Sequence, residues 1–558
     1  MRIADSRRFG RRRFLQRTGF FGLGLIAWAA CGGDEEQPRT TLDRTIVSDE
    51  SNNLVYGPGE AHVVRAELAQ AQSGREDRRR SLIAFHHLSD FRIIDEESPL
   101  RHEWADDCER PDDVTAFRPQ ETLSVQSAAA LIVAANAIDT SPTSGRAVDF
   151  AIHTGNATNN AHYNELRWFI DLMDGKPVHP DSGAIGYQGV QAESPAEAYG
   201  NLLESGQRPF TPVGLAFPWY AVAGNRDVLV EGNFVADDKA TRFALGAQKL
   251  MQLGPAALEE ACSTAGAPGT LTDTGIFSDP ETVIRGVGSD GNRRILAVGD
   301  WIAEHFGTAP SPGPVGHGFA PDAVDSATAH YVVDHGGVGF IVLDTVNRAG
   351  FSDGALDEAQ FQWLEEQLVA RSGEYYDTQG QLVATANQNK LIVIVSHHPP
   401  EMMLNPFGTG SDEPRYLGND LEEKLHRFPN VVLHITGHTL QQRITAKADA
   451  ADRPRNSYWQ VSTGGSVDLP MQGRLLELMD NGDGTLSIFS TVYDSSAPLK
   501  PGDADDPTPE DEQDQALLAG ISRQLAANDP DADEQAAGLQ PSDRNAELLL
   551  TAVFDLGA

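Results

Sequence analysis

Six short apolar runs recur along the chain, and each closes on Gly or polar residues: "SLIAFHHLSD" (81–90), "DFAIHTGN" (149–156), "PWYAVAGNRD" (218–227), "GVGFIVLDT" (337–345), "LIVIVSHHPP" (391–400) and "VVLHITGH" (431–438). Runs this short, rich in Val, Ile and aromatic residues, predict strands. In "LSVQSAAALIVAANAI" (123–138) and "LDEAQFQWLEEQLVA" (356–370), apolar residues recur at three- and four-residue spacing and predict helices. Strands alternating with helices predict sheets covered by helices. "RLLELMDNGDGTLSIFSTVYD" (474–494) predicts two strands around an Asn-Gly-type turn. Its "DNGDG" lacks the alternating acids and distal Glu of a calcium loop.

The remaining stretches divide the chain. Residues 31–80 are polar and read as a spacer before a body over 81–500. Two stretches, near 175–216 and 254–330, are dominated by Gly, Pro, Ser and Asp. Long inserts of that kind are expected to wall or cover a site. "DADDPTPEDEQD" (503–514) has seven acids and no base, so 501–558 reads as an acidic linker and tail. Within it "ALLAGISRQL" (516–525) has helical spacing and is expected to dock on the body or fray.

Charge narrows the partners. The net charge is −38, with Arg far outnumbering Lys, so the surface as a whole repels nucleic acid and anionic lipid. The N-terminus carries the opposite sign. Its arginine-rich start leads into an apolar run from Phe20 to Ala30 and then Cys31. Eleven residues span only ~16 Å as a helix, which predicts an export signal over 1–30 rather than a bilayer span. "RRRFLQ" (11–16) resembles the twin-arginine motif, and "WAAC" resembles a lipobox with Cys31 as the acylated residue. Removing residues 1–30 takes seven Arg and one Asp with it, leaving a mature charge of −44. Cys108 and Cys262 then remain besides Cys31. They form a disulfide or stay as separate thiols, and the sequence does not choose.

Open α/β sheets place their chemistry at strand ends. Here "SDFR", "TGNATNN", "AGNRD", "SHHPP" and "TGHTL" stand there in that order. Together they resemble the calcineurin-like metallophosphoesterases, over roughly residues 81–495. In that superfamily Asp-x-His, Gly-Asp-x-x-Asp, Gly-Asn-His-Asp, a His and Gly-His-x-His build a two-metal site. Further stretches, "DEESP" (95–99), "YNELRWFIDLMDG" (163–175) and "VGHGF" (315–319), resemble a bacterial subgroup with twin-arginine signals and long inserts. The resemblance implies a metallo-dependent phosphatase-like α/β fold, a four-layer αββα sandwich with long loop insertions. It implies metal ligands at Asp90, Asn156, Asn225, His397 and His438, with His398 beside them. It also implies a phosphate-ester substrate.

Several positions depart from the pattern. Arg92 stands where the imidazole of Asp-x-His belongs, and Leu440 where the last imidazole of Gly-His-x-His belongs. Arg226 replaces the His of Gly-Asn-His-Asp, and Asn159 the second Asp of Gly-Asp-x-x-Asp. Arg has no lone pair to give and Leu has none. Asn156 offers a neutral oxygen, which cannot offset repulsion between two close cations as a carboxylate can. One divalent ion, zinc, manganese or iron, is therefore expected rather than two. Arg92 shares a strand face with Asp90. It either pairs with that carboxylate or, with Arg226, presents donors to a phosphate. The other histidines, His86, His87, His153 and His434, are expected to be hydrogen-bonded scaffold, and His317 a loop contact.

The resulting expectation is an exported phosphoesterase-like protein with an incomplete ligand set, touching the membrane only through lipid on Cys31. The rival is a catalytically silent envelope protein that binds an anion in the same crevice. Replacing Arg11 and Arg12 with Lys should hold the precursor inside the cell, as read by fractionation. Normal arrival at the envelope would exclude the twin-arginine route. Cys31→Ala should release the mature chain from membranes, and unchanged association would exclude lipidation there.

Overall fold

A computed structural model describes residues 39–49, 53–104, 118–193, 202–264, 279–410, 413–451, 453–499, 512–529, 532 and 540–554. The signal, Cys31 and Cys108 lie outside the described residues, as does the side chain of Cys262. Among the described residues thirteen strands build the two main sheets. They are β1 (Val63–Arg65), β2 (Arg80–Leu88), β3 (Phe150–His153), β4 (Trp219–Ala221), β5 (Tyr331–His335), β6 (Val338–Val342), β7 (Leu391–Val395), β8 (Val431–Thr436), β9 (Arg443–Lys447), β10 (Tyr458–Ser462), β11 (Gln472–Asp480), β12 (Thr485–Asp494) and β13 (Ala546–Thr551). The first sheet runs β1-β13-β12-β11-β2-β3-β4, and the second β9-β10-β8-β7-β6-β5.

Parallel pairing sets the site. In the first sheet β2, β3 and β4 are parallel, with Leu88 opposite His153 and His153 opposite Ala221. In the second, β6, β7, β8 and β10 are parallel. Their C-terminal ends therefore emerge together, and the motif residues follow those ends. This is the architecture read from the sequence, a mixed α/β sandwich of two sheets.

Side-chain alternation explains the layering. Phe340, Val342, Val393 and Val395 face the first sheet, while Ile341, Leu343, Ile392 and Ile394 face the other way. Between the sheets Phe340 meets Phe85 and Phe150 edge-on, at centroid distances of 5.3 and 5.2 Å. The outer faces are covered by helices. Helices α1 (Ser124–Asn136) and α2 (Tyr163–Asp174) supply Leu131, Ile132, Phe169 and Met173 to the first sheet's cluster. Helices α3 (Glu358–Ala370) and α4 (Gly418–Leu425) supply Leu364, Leu368, Leu421 and Leu425 to the second's. Asp357 caps α3 by accepting from the Gln360 amide at 2.8 Å.

The predicted hairpin forms with Asp480 opposite Leu486. Asp480 and Asp483 accept from the turn amides of Gly482 and Thr485, which is turn chemistry rather than calcium ligation. Among the described residues no helix is long and apolar enough to cross a membrane.

Three expectations need correction. The stretch read as a spacer contributes β1, and the stretch read as a tail contributes β13, paired with each other in the first sheet. The reason is burial: Leu548, Leu549 and Leu550 are at most 2% exposed, an apolar run hidden behind the acidic segment. The helix expected near 516–525 does form, over Glu512–Ala527, and docks on the body, its Ser522 hydroxyl meeting Ser127 of α1 at 2.7 Å. The second insert is partly core rather than cover. His317 is fully buried and stacked on Trp219 at 3.5 Å, with its Nδ1 2.9 Å from that of His305.

A chain ending at Lys500 should lose soluble folded protein, because β12 would become an open apolar edge. Soluble expression with an unchanged unfolding midpoint would show that β13 is dispensable.

Candidate functional site

The loops after β2, β3, β4, β7 and β8 converge because their glycines permit contact that a side chain would block. A Cβ on Gly155, whose φ is +94°, would lie 2.8 Å from the Gly224 nitrogen and 2.9 Å from His397 Nδ1. Asp90, Arg92, Asn156, His438 and Leu440 all take positive φ, a conformation rare for side-chain-bearing residues. Such backbone persists where the surroundings over-determine it, commonly at functional sites.

Asp90 is the hub. Its Oδ1 accepts from Asn156 Nδ2 at 2.9 Å, and its Oδ2 from the Ser89 hydroxyl at 2.7 Å and the His438 amide at 2.9 Å. Burial alone would raise this carboxyl. His397, Arg92 and the hydrogen bonds from Ser89 and Asn156 outweigh it and hold the group below its ordinary value. Asn156 is committed on both sides, since its Oδ1 accepts from the Arg226 amide at 2.8 Å.

His397 presents a proton-counting problem. Its Nδ1 lies 2.8 Å from the Thr154 carbonyl oxygen, and its Nε2 lies 2.9 Å from Asn225 Oδ1. Both neighbours are acceptors. The Asn225 amide cannot turn round cheaply, because its Nδ2 donates to the Gly232 carbonyl at 2.9 Å. A neutral imidazole has one N–H, so one of these contacts sets lone pair against lone pair. An imidazolium would satisfy both, but burial lowers the His397 pKa despite Asp90 and the Thr154 carbonyl. His438 Nδ1 stands 3.2 Å from the same Nε2, and burial, with His398 and His397 nearby, drives that imidazole well below its ordinary value. A cation in place of the missing proton resolves the clash, and His397 Nε2, Asn225 Oδ1 and His438 Nδ1 are borderline donors suited to one divalent ion.

His398 belongs to the same cluster by distance, since ligand atoms of His397, His398 and His438 lie within 4.8 Å of one another. Hydrogen bonding separates it from the other two. Its Nε2 faces the Ser352 carbonyl at 2.9 Å and its Nδ1 the Thr345 hydroxyl at 2.8 Å, so both ring nitrogens are engaged.

The substituted positions lie on the other side of Asp90 and Asn156. Arg92 Nε stands 3.5 Å from Asp90 Oδ1, an ion pair without a hydrogen bond. Its Nε and Nη1 are buried and unpartnered. Leu440 is nearly buried and lies against Gly465. Arg226 Nη1 donates to Asn159 Oδ1 at 2.6 Å, so two substituted positions contact each other. Burial, with Arg92 and other arginines nearby, brings Arg226 down to about 9.

Two supporting acids escaped sequence reasoning. Asp227 accepts from the Gly224 and Thr158 amides at 2.8 and 2.9 Å and ties two motif loops together. Glu165 accepts from the amides of Asp95, Asn159 and Asn160. Asp227 was visible in "AGNRD", whereas nothing in "YNELRW" marks Glu165 as a loop anchor. His86, His87 and His434 are hydrogen-bonded scaffold as expected. His153 instead packs between Phe91 and Phe169 with Nε2 unpartnered.

No protein-family model matches the chain, and no curated protein matches its sequence. Among solved structures it is similar to a dimetal phosphatase from Danio rerio, with 10% identity, 75% of this chain and 100% of that one covered, and a TM-score of 0.32. It is also similar to a purple acid phosphatase from yellow lupin (Lupinus luteus) seeds, with 10% identity, 74% and 52% covered, and a TM-score of 0.30. At that distance the chemistry of the site rests on its own geometry.

Asn159→Ala should destabilise the fold by about 2 kcal/mol, because it strips a buried guanidinium of its acceptor. Denaturant unfolding measures this, and an unchanged midpoint would mean that the Arg226–Asn159 contact carries no energy.

Proposed function

We propose that this chain is an exported metallophosphoesterase-like protein that holds one divalent ion and a phosphate ester in this crevice and hydrolyses the ester slowly. The observation that carries the reading is His397, whose two nitrogens face two acceptors while burial disfavours a second proton. His397, His438 and Asn225 would hold the ion, with zinc, manganese or iron all compatible with the donors. Bound there, it would supply Lewis acidity towards a phosphoryl oxygen.

The chain's own residues do the remaining work. Arg92 offers two buried unpartnered nitrogens, whose N–H groups suit the non-bridging oxygens of a phosphate. Arg226 supplies a second positive charge, since a pKa of about 9 leaves it protonated at neutral pH. It gives up a proton to a leaving alcohol less readily at neutral pH than the imidazole it replaces. His398 is held by Ser352 and Thr345 and has no free nitrogen for that task. Binding therefore exceeds catalysis. Export through the twin-arginine signal, with lipid on Cys31, would put this activity on the outer face of the cytoplasmic membrane.

A second reading follows from those same two residues: a silent envelope protein that binds an anionic ligand or partner without turnover. Metal content and turnover separate the readings. Metal-stripped protein should take up one zinc or manganese per chain and hydrolyse a generic phosphate ester weakly, with both lost in His397→Ala. One ion without turnover favours the silent protein. Two ions per wild-type chain, or strong turnover, contradicts the one-ion site. The combined variant Arg92→His, Asn156→Asp, Arg226→His and Leu440→His should raise occupancy towards two. It removes two fixed cations and adds a carboxylate and three imidazoles. Unchanged occupancy in the folded variant would show that those residues do not border a second cation position.

A further inference from the structure

Two loops at the rim of the crevice, 346–354 and 402–408, are welded together. Asn347 Nδ2 donates to the carbonyls of Asn405 and Phe407 at 3.1 and 3.0 Å, and Asn405 Nδ2 donates to the Gly350 carbonyl at 2.7 Å. Both amides are buried, at 3% exposure. The Gly354 amide adds a bond to the Met402 carbonyl at 2.8 Å. On this rigid frame the side chains of Leu404 and Phe407 stand 57% and 58% exposed. Phe351 lies beside Phe407, the two rings 5.7 Å apart.

Phe351 has an unusual backbone. Its φ is +67°, a left-handed conformation that suits glycine and disfavours a bulky side chain. Its neighbours explain what holds it. The Phe351 amide donates to the Asn233 carbonyl at 2.7 Å, and the adjoining Gly232 carbonyl takes the Asn225 side-chain amide. On its other side, the Ser352 carbonyl faces His398. The strained aromatic residue is therefore fixed between the segment that orients Asn225 and the segment that orients His398. Strain of this kind gathers where a ligand is held. A pair of aromatic rings with an exposed leucine on the same frame, beside a polar crevice, marks the place for an apolar part of that ligand.

We propose that Phe351, Leu404 and Phe407 form an apolar subsite for the alcohol portion of the substrate, which is then a phosphate ester of an apolar alcohol. The proposal rests on the crevice binding a phosphate, as argued above. Titration calorimetry of the full mature chain with zinc present, using methylphosphonate and benzylphosphonate, tests both layers. Benzylphosphonate should bind about tenfold more tightly, the scale of one good aromatic contact. Phe351→Gly and Phe407→Ala should each narrow that gap and leave methylphosphonate affinity unchanged. Glycine at 351 relieves the positive φ, so that variant should melt no lower than the wild type, which separates lost binding from lost folding. Methylphosphonate binding without a benzyl preference would overturn the subsite and leave the phosphate site standing. A gap that survives in both variants, or an equal loss of both ligands, would also overturn it. If neither phosphonate binds, the phosphate site itself is wrong.

Discussion

A buried imidazole flanked by two oxygen acceptors organises this site. Thr154 and Asn225 approach His397 from opposite ends, and each is held by structure that does not depend on His397. Thr154 sits at the end of β3, with its amide donating to the Leu88 carbonyl. Asn225 is fixed by the Gly232 carbonyl. A buried lone pair facing a lone pair costs about 1–3 kcal/mol, the penalty of an unsatisfied polar group. The fold keeps this arrangement in the middle of its strand-end crevice, where a cation would turn the penalty into ligation.

Around that point the guanidinium of Arg92 is buried with two nitrogens unpartnered. Asp90 spends its oxygens on Asn156, Ser89 and the His438 amide, leaving Arg92 near it but not bonded to it. On the proposed reading, Arg92 and Arg226 add fixed positive charge beside the one-ion site. A guanidinium can bind phosphate as a cation does, but it cannot activate a water by lowering its pKa. On that reading the two arginines would preserve attraction for a phosphate and weaken the chemistry performed on it.

How much of this was legible depended on range. The six runs that became strands, the two long helices and the hairpin follow from local periodicity, and five motifs in order located the crevice. β1 and β13 were hidden because Val63–Arg65 is only three residues long and its partner lies nearly five hundred residues away. His317 was misjudged because its burial comes from stacking on Trp219, a contact no local pattern announces. Arg92, Arg226 and Leu440 were legible as departures from a pattern. The acceptors around His397 were not, since one is a main-chain carbonyl and the other depends on which way an amide points.

The most direct test is a crystal structure of metal-stripped protein reloaded with zinc, with anomalous scattering used to place the ion. One peak within ligand distance of His397 Nε2, Asn225 Oδ1 and His438 Nδ1, with Arg92 still beside Asp90, is the predicted result. A second peak between Asp90 and Asn156, or no peak at His397, would contradict the account.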